Sequence, residues 1–285
     1  MDGHPGLSGL DRIPPTGRLT VFSLVGSAFG RTLSVRCPSK VRMGDSTTMV
    51  APTGGQVRRA GEVLRRMELG TSVEASQYFD AYNTMLAFRA SHQYPLVKAT
   101  MGLRSVVASE GCSIEVSQRL KRVPTILDKL KRHPEMSLER MQDIGGCRAV
   151  LSSINEVERV QQRVVTNARR REPGREPRVR NYIAEPRESG YRGIHVIVRY
   201  DERSIEIQLR TQVMHAWAIS VERLSGRLRE DLKGGYGPAQ VLALLETISE
   251  AMAIEEVGGT VGQDLLDRME AQRQVSLKYL QGGSR

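Results

Sequence analysis

The stretch IHVIVRYDERSIEIQLR (194–210) decides the fold. Ile194 to Tyr200 and Ser204 to Leu209 are rich in β-branched residues and flank Asp201 to Arg203, so they read as two paired strands around a turn. In the second strand Ile205, Ile207 and Leu209 fall on one face and Glu206, Gln208 and Arg210 on the other, because successive strand residues alternate. A carboxylate, an amide and a guanidinium in one row leave two readings: an amphipathic edge strand, or the polar floor of a site.

Outward from this pair the pattern is mixed. Gly146 to Leu151 is a compact apolar run that suits a central strand, and Ile114, Val116 and Gln118 alternate with polar residues as in a short one. Pro124 suits the first turn of a helix running to Arg132. Val157, Val160, Val164 and Val165 give a helix that fades into the arginine-rich stretch Arg169 to Arg180. From Gln56 to Ser105 the periodicity is helical, with Val63, Met67 and Leu69 as one stripe and Tyr82, Met85, Leu86 and Phe88 as another. From Val213 the chain is helical again, broken at 234–237, and closes on an amphipathic segment with Val241, Leu244, Leu245 and Ile248 on one face. This order predicts an α+β fold: a mixed sheet flanked by N- and C-terminal helices. Residues 1–55, rich in Gly, Pro, Ser and Thr, read as a disordered segment. Residues 56–110 read as N-terminal helices, 111–232 as the catalytic domain and 233–285 as a C-terminal helical segment.

The 285 residues suffice for one such domain with attachments, and a 39% hydrophobic content supports a core. No apolar run is long enough to span a bilayer. The best stretch, Val21 to Ala28, lacks the flanks of a signal peptide, so a cytoplasmic location is expected and no membrane partner. Cys37, Cys112 and Cys147 share no metal or redox spacing and read as idle thiols. A balance of 42 basic against 32 acidic residues gives +10, which fits nucleotides, nucleic acid or an acidic protein as partners, or serves solubility.

Three further segments carry chemistry. Arg119 and Lys121 share a face if the strand reaches them, and Thr125 and Lys129 stack four apart on the next helix. Cations leading into a helix start suit a triphosphate, although lysines of this kind also form ordinary solvated faces. Asp143 precedes Gly145-Gly146 and a strand, where a metal-bound phosphate could approach the backbone, or where Asp simply closes a turn. Magnesium takes few carboxylate oxygens together with substrate phosphates, so Asp143 with Glu206 is an ordinary ligand set. Gly190-Tyr191-Arg192-Gly193 can present a flat ring to a base, or pack it.

Taken together, RLKRVPTILDKL (119–130), MQDIGGCRAVL (141–151), ESGYRGIHVIV (188–198) and IEIQLRTQVMHAWA (205–218) resemble the RelA/SpoT synthetase family, in the family's order. The resemblance implies a nucleotidyltransferase-like synthetase core and a pyrophosphokinase that moves the β,γ-diphosphate of ATP, with Mg²⁺, onto a ribose 3′-hydroxyl. It places Arg119 and Arg148 on either side of the adenine, where each guanidinium stack is worth roughly 0.5–2 kcal/mol. It sets Lys121, Thr125 and Lys129 along the phosphates. Asp143 and Glu206 become the metal ligand and the carboxylate that activates the acceptor hydroxyl, both near the metal. Tyr191 becomes the ring that stacks on the acceptor base, with Arg187, His195, Gln208 and Arg210 nearby.

The acceptor is a separate matter. Members that use GDP or GTP commonly follow the last motif with an EHxxYK-like segment. Here HAWAISVERLSGRLREDLK (215–233) puts Val221 and Glu222 at that pair and has no Tyr-Lys. This segment, the GCRAVL wording and FRASHQYPL (88–96) resemble the toxic small alarmone synthetases of toxin–antitoxin and phage-defence systems. That resemblance implies tRNA modification at the 3′-terminal adenosine and a protein antitoxin as partner, with an alarmone synthetase making ppGpp or ppApp from mononucleotides as the alternative. Arg169, Arg170, Arg171, Arg175, Arg178 and Arg180 suit a tRNA acceptor stem, or form a flexible solvated loop.

Overall fold

The computed structural model describes residues 51–113 and 115–281. The expectations for residues 1–50, including Val21 to Ala28 and Cys37, and the strand residue Ile114 lie outside them. Three helices open the described chain: α1 (Gly54–Glu68), α2 (Ala75–Ala90) and α3 (Gln93–Ser109). Thr53 and Gln56 form a reciprocal cap at the start of α1, each side chain serving the other's backbone N–H, so order begins before the expected boundary at 55. The core follows as β1 (Glu115–Leu120), α4 (Val123–Arg132), β2 (Gly145–Leu151), α5 (Ile154–Arg171), β3 (Arg178–Asn181), β4 (Ile194–Tyr200) and β5 (Arg203–Thr211). Three helices close it: α6 (Gln212–Leu228), α7 (Ala239–Glu256) and α8 (Gln263–Gln281).

The sheet order is β1-β2-β5-β4-β3, with β2 parallel to β5 and every other pair antiparallel. The α+β expectation with a mixed sheet holds. β5 is the middle strand and β2 its interior neighbour. Asp201 and Glu202 turn the β4–β5 hairpin with φ of 44° and 64°, the mirror-image geometry that matches strand twist. Arg203, expected in the turn, is already strand.

Register explains the two faces. Cys147, Ala149 and Leu151 of β2 pair with Ile207, Leu209 and Thr211 of β5, and Ile194, Val196 and Val198 of β4 meet Leu209, Ile207 and Ile205. This apolar face is buried with residues of α3 and α5 in one cluster. A second cluster ties Tyr191 and Trp217 to buried residues of α6, α7 and α8, and a third ties α1 and α2 to Ile126 and Leu130 of α4 and to Ile144.

Three details differ from the sequence reading. Along α1 the buried residues are Val57, Ala60, Gly61 and Leu64, whereas Met67 and Leu69 are exposed; Gly61 packs so closely on Leu138 that the face it shares with Leu64 is the inner one. Part of the arginine-rich loop is the strand β3, held on β4 although all four of its side chains are solvent-facing. The closing segment is two helices, parted near Gly258, where φ is positive. Among the described residues no helix is long and apolar enough to cross a membrane.

Candidate active site

The face of the sheet opposite the apolar core gathers the predicted polar residues. Gly146 pairs with both Arg119 and Glu206, Arg148 with both Ser117 and Gln208, and His195 with Gln208. Four strands thus put Arg119, Arg148, Glu206, Gln208, Arg210 and His195 on one surface. β1 reaches Arg119 but ends at Leu120, so the strand face expected to hold both Arg119 and Lys121 stops short of Lys121.

On the β1 side, Arg119 and Arg148 are diagonal neighbours on adjacent strands, a spacing of about 7–8 Å between their backbones. Arg119 is exposed, Arg148 donates to Ser117 Oγ at 3.2 Å, and the buried Arg148 Nε has no partner. Burial, with the charges of Arg210 and Arg119, lowers the Arg148 pKa. His215, also half-buried beside Arg148, has a partnerless buried Nδ1.

Asp143 lies just before β2. Its Oδ2 accepts from Lys121 Nζ at 3.0 Å and Lys129 Nζ at 2.9 Å, while its Oδ1 is buried without a partner. Burial raises its pKa, but the two ammonium groups outweigh that and hold it below the usual carboxylate range, against a smaller opposing push from Glu206. Thr125 is exposed in the first turn of α4, whose cap residue Arg122 offers no side-chain hydrogen bond. Magnesium needs one or two carboxylates plus substrate oxygens, and an ionised Asp143 with one free buried oxygen meets that demand. Among the described residues no cluster of three His, Cys, Asp or Glu side chains could form a cage by itself.

Glu206 differs. Its Oε1 lies 2.9 Å from His195 Nδ1 and its Oε2 accepts from Gln208 Nε2 at 2.6 Å, so both oxygens already have donors. The network closes on itself: His195 Nε2 meets the Tyr191 hydroxyl at 2.6 Å, Arg210 Nε donates to that hydroxyl at 3.1 Å, and Arg210 Nη2 donates to Gln208 Oε1 at 2.8 Å. Directions follow. If Nδ1–H donates to Glu206, Nε2 must accept from Tyr191, which needs a neutral His195. Burial lowers the His195 pKa, more than Glu206 raises it, and so favours that tautomer. Burial pushes Glu206 up, but its hydrogen bonds from His195 and Gln208 and the nearby Lys233 charge more than reverse this, and it stays ionised.

The structure departs from the expected stacking role of Tyr191. Its ring is fully buried, with Trp217, Tyr182 and His195 around it. The cause is the loop's attachment to α7. Gly190, at φ 82°, lies so near Glu246 and Leu245 that a Cβ would come within 2.8 Å of backbone, and Ser249 Oγ donates to its carbonyl at 2.5 Å. Arg187 stacks 4.5 Å over the Tyr182 ring, which is only half-buried, and donates to its hydroxyl at 3.1 Å. Tyr182, Glu222 and Lys233 stand at this end of the site; of these, Tyr182 and Lys233 escaped the sequence reading. Tyr182 follows an arginine strand that looked like loop, and Lys233 lies in a glycine-rich break without periodicity.

With this geometry in place, the comparison with known proteins is specific. Residues 118–223 match the family model described as the region found in RelA / SpoT proteins. Over this stretch, less than half of its length, the chain is similar to that region. Bacillus subtilis GTP pyrophosphokinase YjbM is 32% identical over 146 residues, which are 48% of this chain and 65% of the relative. Bacillus subtilis GTP pyrophosphokinase YwaC is 30% identical over 128 residues, 40% of this chain and 59% of the relative. The chain therefore spans less than two thirds of either. Among solved structures, small alarmone synthetase 1 from Bacillus subtilis bound to its product pppGpp is 28% identical, covering 57% of this chain and 90% of that one, with a TM-score of 0.43. A GTP pyrophosphokinase family protein from Streptococcus pneumoniae is 26% identical, covering 65% and 96%, with a TM-score of 0.46. The matched stretch begins within β1 and ends within α6, so it includes every predicted site residue.

Proposed function

We propose that this chain is a pyrophosphokinase that transfers the β,γ-diphosphate of ATP to the 3′-hydroxyl of a purine nucleotide, the new bond forming at the β-phosphorus as AMP leaves. The observation that carries this is one sheet face with a guanidinium pair at one end, a lysine-clamped Asp143 in the middle and the ionised Glu206 network at the other. Arg119 and Arg148 would hold the adenine. Lys121, Thr125 and Lys129 would line the phosphates, and Asp143 Oδ1 would hold Mg²⁺. The metal, when bound, supplies charge neutralisation on the transferred group. Glu206 would take the acceptor's hydroxyl proton at a carboxylate oxygen, a role that His195 and Gln208 orient rather than perform. A group with so low a pKa is a weak base, so positioning and electrostatics would carry most of the acceleration.

The relatives' names favour a guanine mononucleotide as acceptor. A second reading rests on β3: its Arg178 and Arg180 are exposed on the outer edge, and Arg180 pairs in register with His195. A basic edge leading to the network suits the phosphates of a tRNA 3′ end, and with it a translation-blocking toxin held by a protein antitoxin. Incubation of the full chain with γ-³²P-ATP and GDP, GTP, ATP or total tRNA separates the two. Label in guanine nucleotides is expected; label in tRNA alone establishes the second reading, and label in none of them sinks the proposal.

A further inference from the structure

Three cations converge on the buried Tyr191 ring. Lys233 Nζ lies 4.8 Å from its centroid, Arg210 Cζ 5.0 Å and Arg187 Cζ 5.4 Å. The carboxylates in reach do not balance them. Among the described residues, only two carboxylates stand against the three cations: Glu206, whose oxygens are taken up by His195 and Gln208, and Glu222, 3.3 Å from Lys233 Nζ and itself 40% exposed. Arg210 is 1% exposed, and its Nη1 is buried with no partner. Enclosed like charges repel, and a guanidinium N–H left unpaired loses the hydrogen bond it had in water. Burial and the Arg210 charge together bring the Lys233 pKa down to about 8. An anion would relieve all three.

Lys233 reaches this place from a turn that lies beyond the matched region, and the turn is built to hold it. The Asp231 carboxylate accepts from Gly234 N at 3.2 Å and from Arg132 Nη1, at the end of α4, at 2.6 Å. Ser189 Oγ donates to the Lys233 carbonyl at 3.0 Å, and Leu232 is fully buried. Gly235 at φ 90° closes the turn. Asp231 thus anchors it to the helix of Thr125 and Lys129, and Ser189 anchors it beside Tyr191.

We infer that Lys233 is a specificity-determining residue of the acceptor site: with Arg210 and Arg187 it binds phosphate on the 5′ side of the acceptor nucleotide, and so selects acceptors by charge. The inference rests on the reading of the chain as a pyrophosphokinase. An ammonium that only balanced Glu222 would not need a turn pinned at both ends, nor would it leave Arg210 Nη1 without a partner.

Equilibrium binding of guanosine, GMP, GDP and GTP to the full chain tests it without requiring turnover. The wild-type chain should bind GDP and GTP more tightly than guanosine. Lys233→Met should cut that gain about tenfold or more, as loss of a charge-assisted hydrogen bond does, while Lys233→Arg keeps most of it. ATP-analogue affinity should move less than about twofold. Thermal unfolding checks that each variant is folded, and Lys233→Gln serves if Met is not tolerated. A phosphate-dependent gain that survives Lys233→Met, or a wild-type chain that binds GDP no better than guanosine, overturns the inference. Phosphate-dependent binding without any diphosphate transfer would instead sink the pyrophosphokinase reading and leave the anion site standing.

Discussion

The two ends of the polar face are built differently. The end that carries Arg119, Lys121, Thr125, Lys129, Asp143 and Arg148 comes from one continuous run, β1 through β2, and its side chains are exposed or half-buried. The end that carries Tyr191, His195 and Arg210 is buried, and distant chain segments hold it: Ser249 on α7 at Gly190, Lys233 beside Tyr191, and Glu256 at the end of α7 on Arg192 and Thr211. The first resembles a tray, open and assembled from sequence neighbours; the second resembles a socket, closed and assembled from afar. Substitutions in a tray should change binding locally. Substitutions in a socket should move stability and acceptor handling together.

The largest effect is expected where the two ends meet. Glu206→Gln keeps the shape of the network but removes the charge that receives the acceptor's proton, so kcat should fall by about 10²–10⁴-fold. The KM for ATP should stay near the wild-type value, measured by initial rates at saturating acceptor. A rise in that KM as large as the fall in kcat would place Glu206 on the ATP and erase the division. The next effect is on stability. Glu256 is buried with Arg192, side chains 6% and 10% exposed, at 2.8 Å. Glu256→Ala leaves a buried guanidinium without its counter-charge, which typically costs about 3–5 kcal/mol. A fall in Tm on the order of 10 °C should follow. Where the variant is still folded, the acceptor KM should rise while the ATP KM holds. Equal rises in both would mean the socket and the tray are one unit.

The same contrast explains what was legible in the sequence. Alternation in IEIQLR and β1, and the i,i+4 pair Thr125–Lys129, are local patterns, and they located the polar face and the lysines that clamp Asp143. The socket has no such pattern. Tyr191 read as a ring offered by a glycine loop because the contact that buries it comes from Leu245, Glu246 and Ser249, more than fifty residues downstream in the chain. β3 was missed because four residues with exposed side chains carry no burial period; only pairing with β4 makes them a strand. The stripe Val63, Met67 and Leu69 misled for a related reason, since the close approach of Gly61 to Leu138 turns the face of Val57, Ala60, Gly61 and Leu64 inward.

A smaller effect should come from behind the tray, on acidification. His92 is 2% exposed, beside Gly145 of β2, and its Nδ1 lies 2.8 Å from the Phe88 carbonyl. Burial, opposed by that hydrogen bond and aided by Arg203, brings its pKa from 6.5 down to about 4. The folded chain therefore keeps His92 neutral where the unfolded chain would protonate it. Stability is complete above the unfolded value, near 6.5, and is lost as the pH falls towards the folded value. At pH 5 the loss should be about 2 kcal/mol. His215 beside Arg148 and His195 in the socket, whose pKa values burial also lowers, push in the same direction. The His92 share is isolated by comparison with His92→Gln, which keeps a donor for Phe88 but cannot titrate. Denaturant unfolding of both chains at pH 7.5 and pH 5 should show the gap between them shift by about that amount in favour of the variant. A gap that does not change with pH would mean that His92 is solvated and that the support behind the tray is looser than the socket.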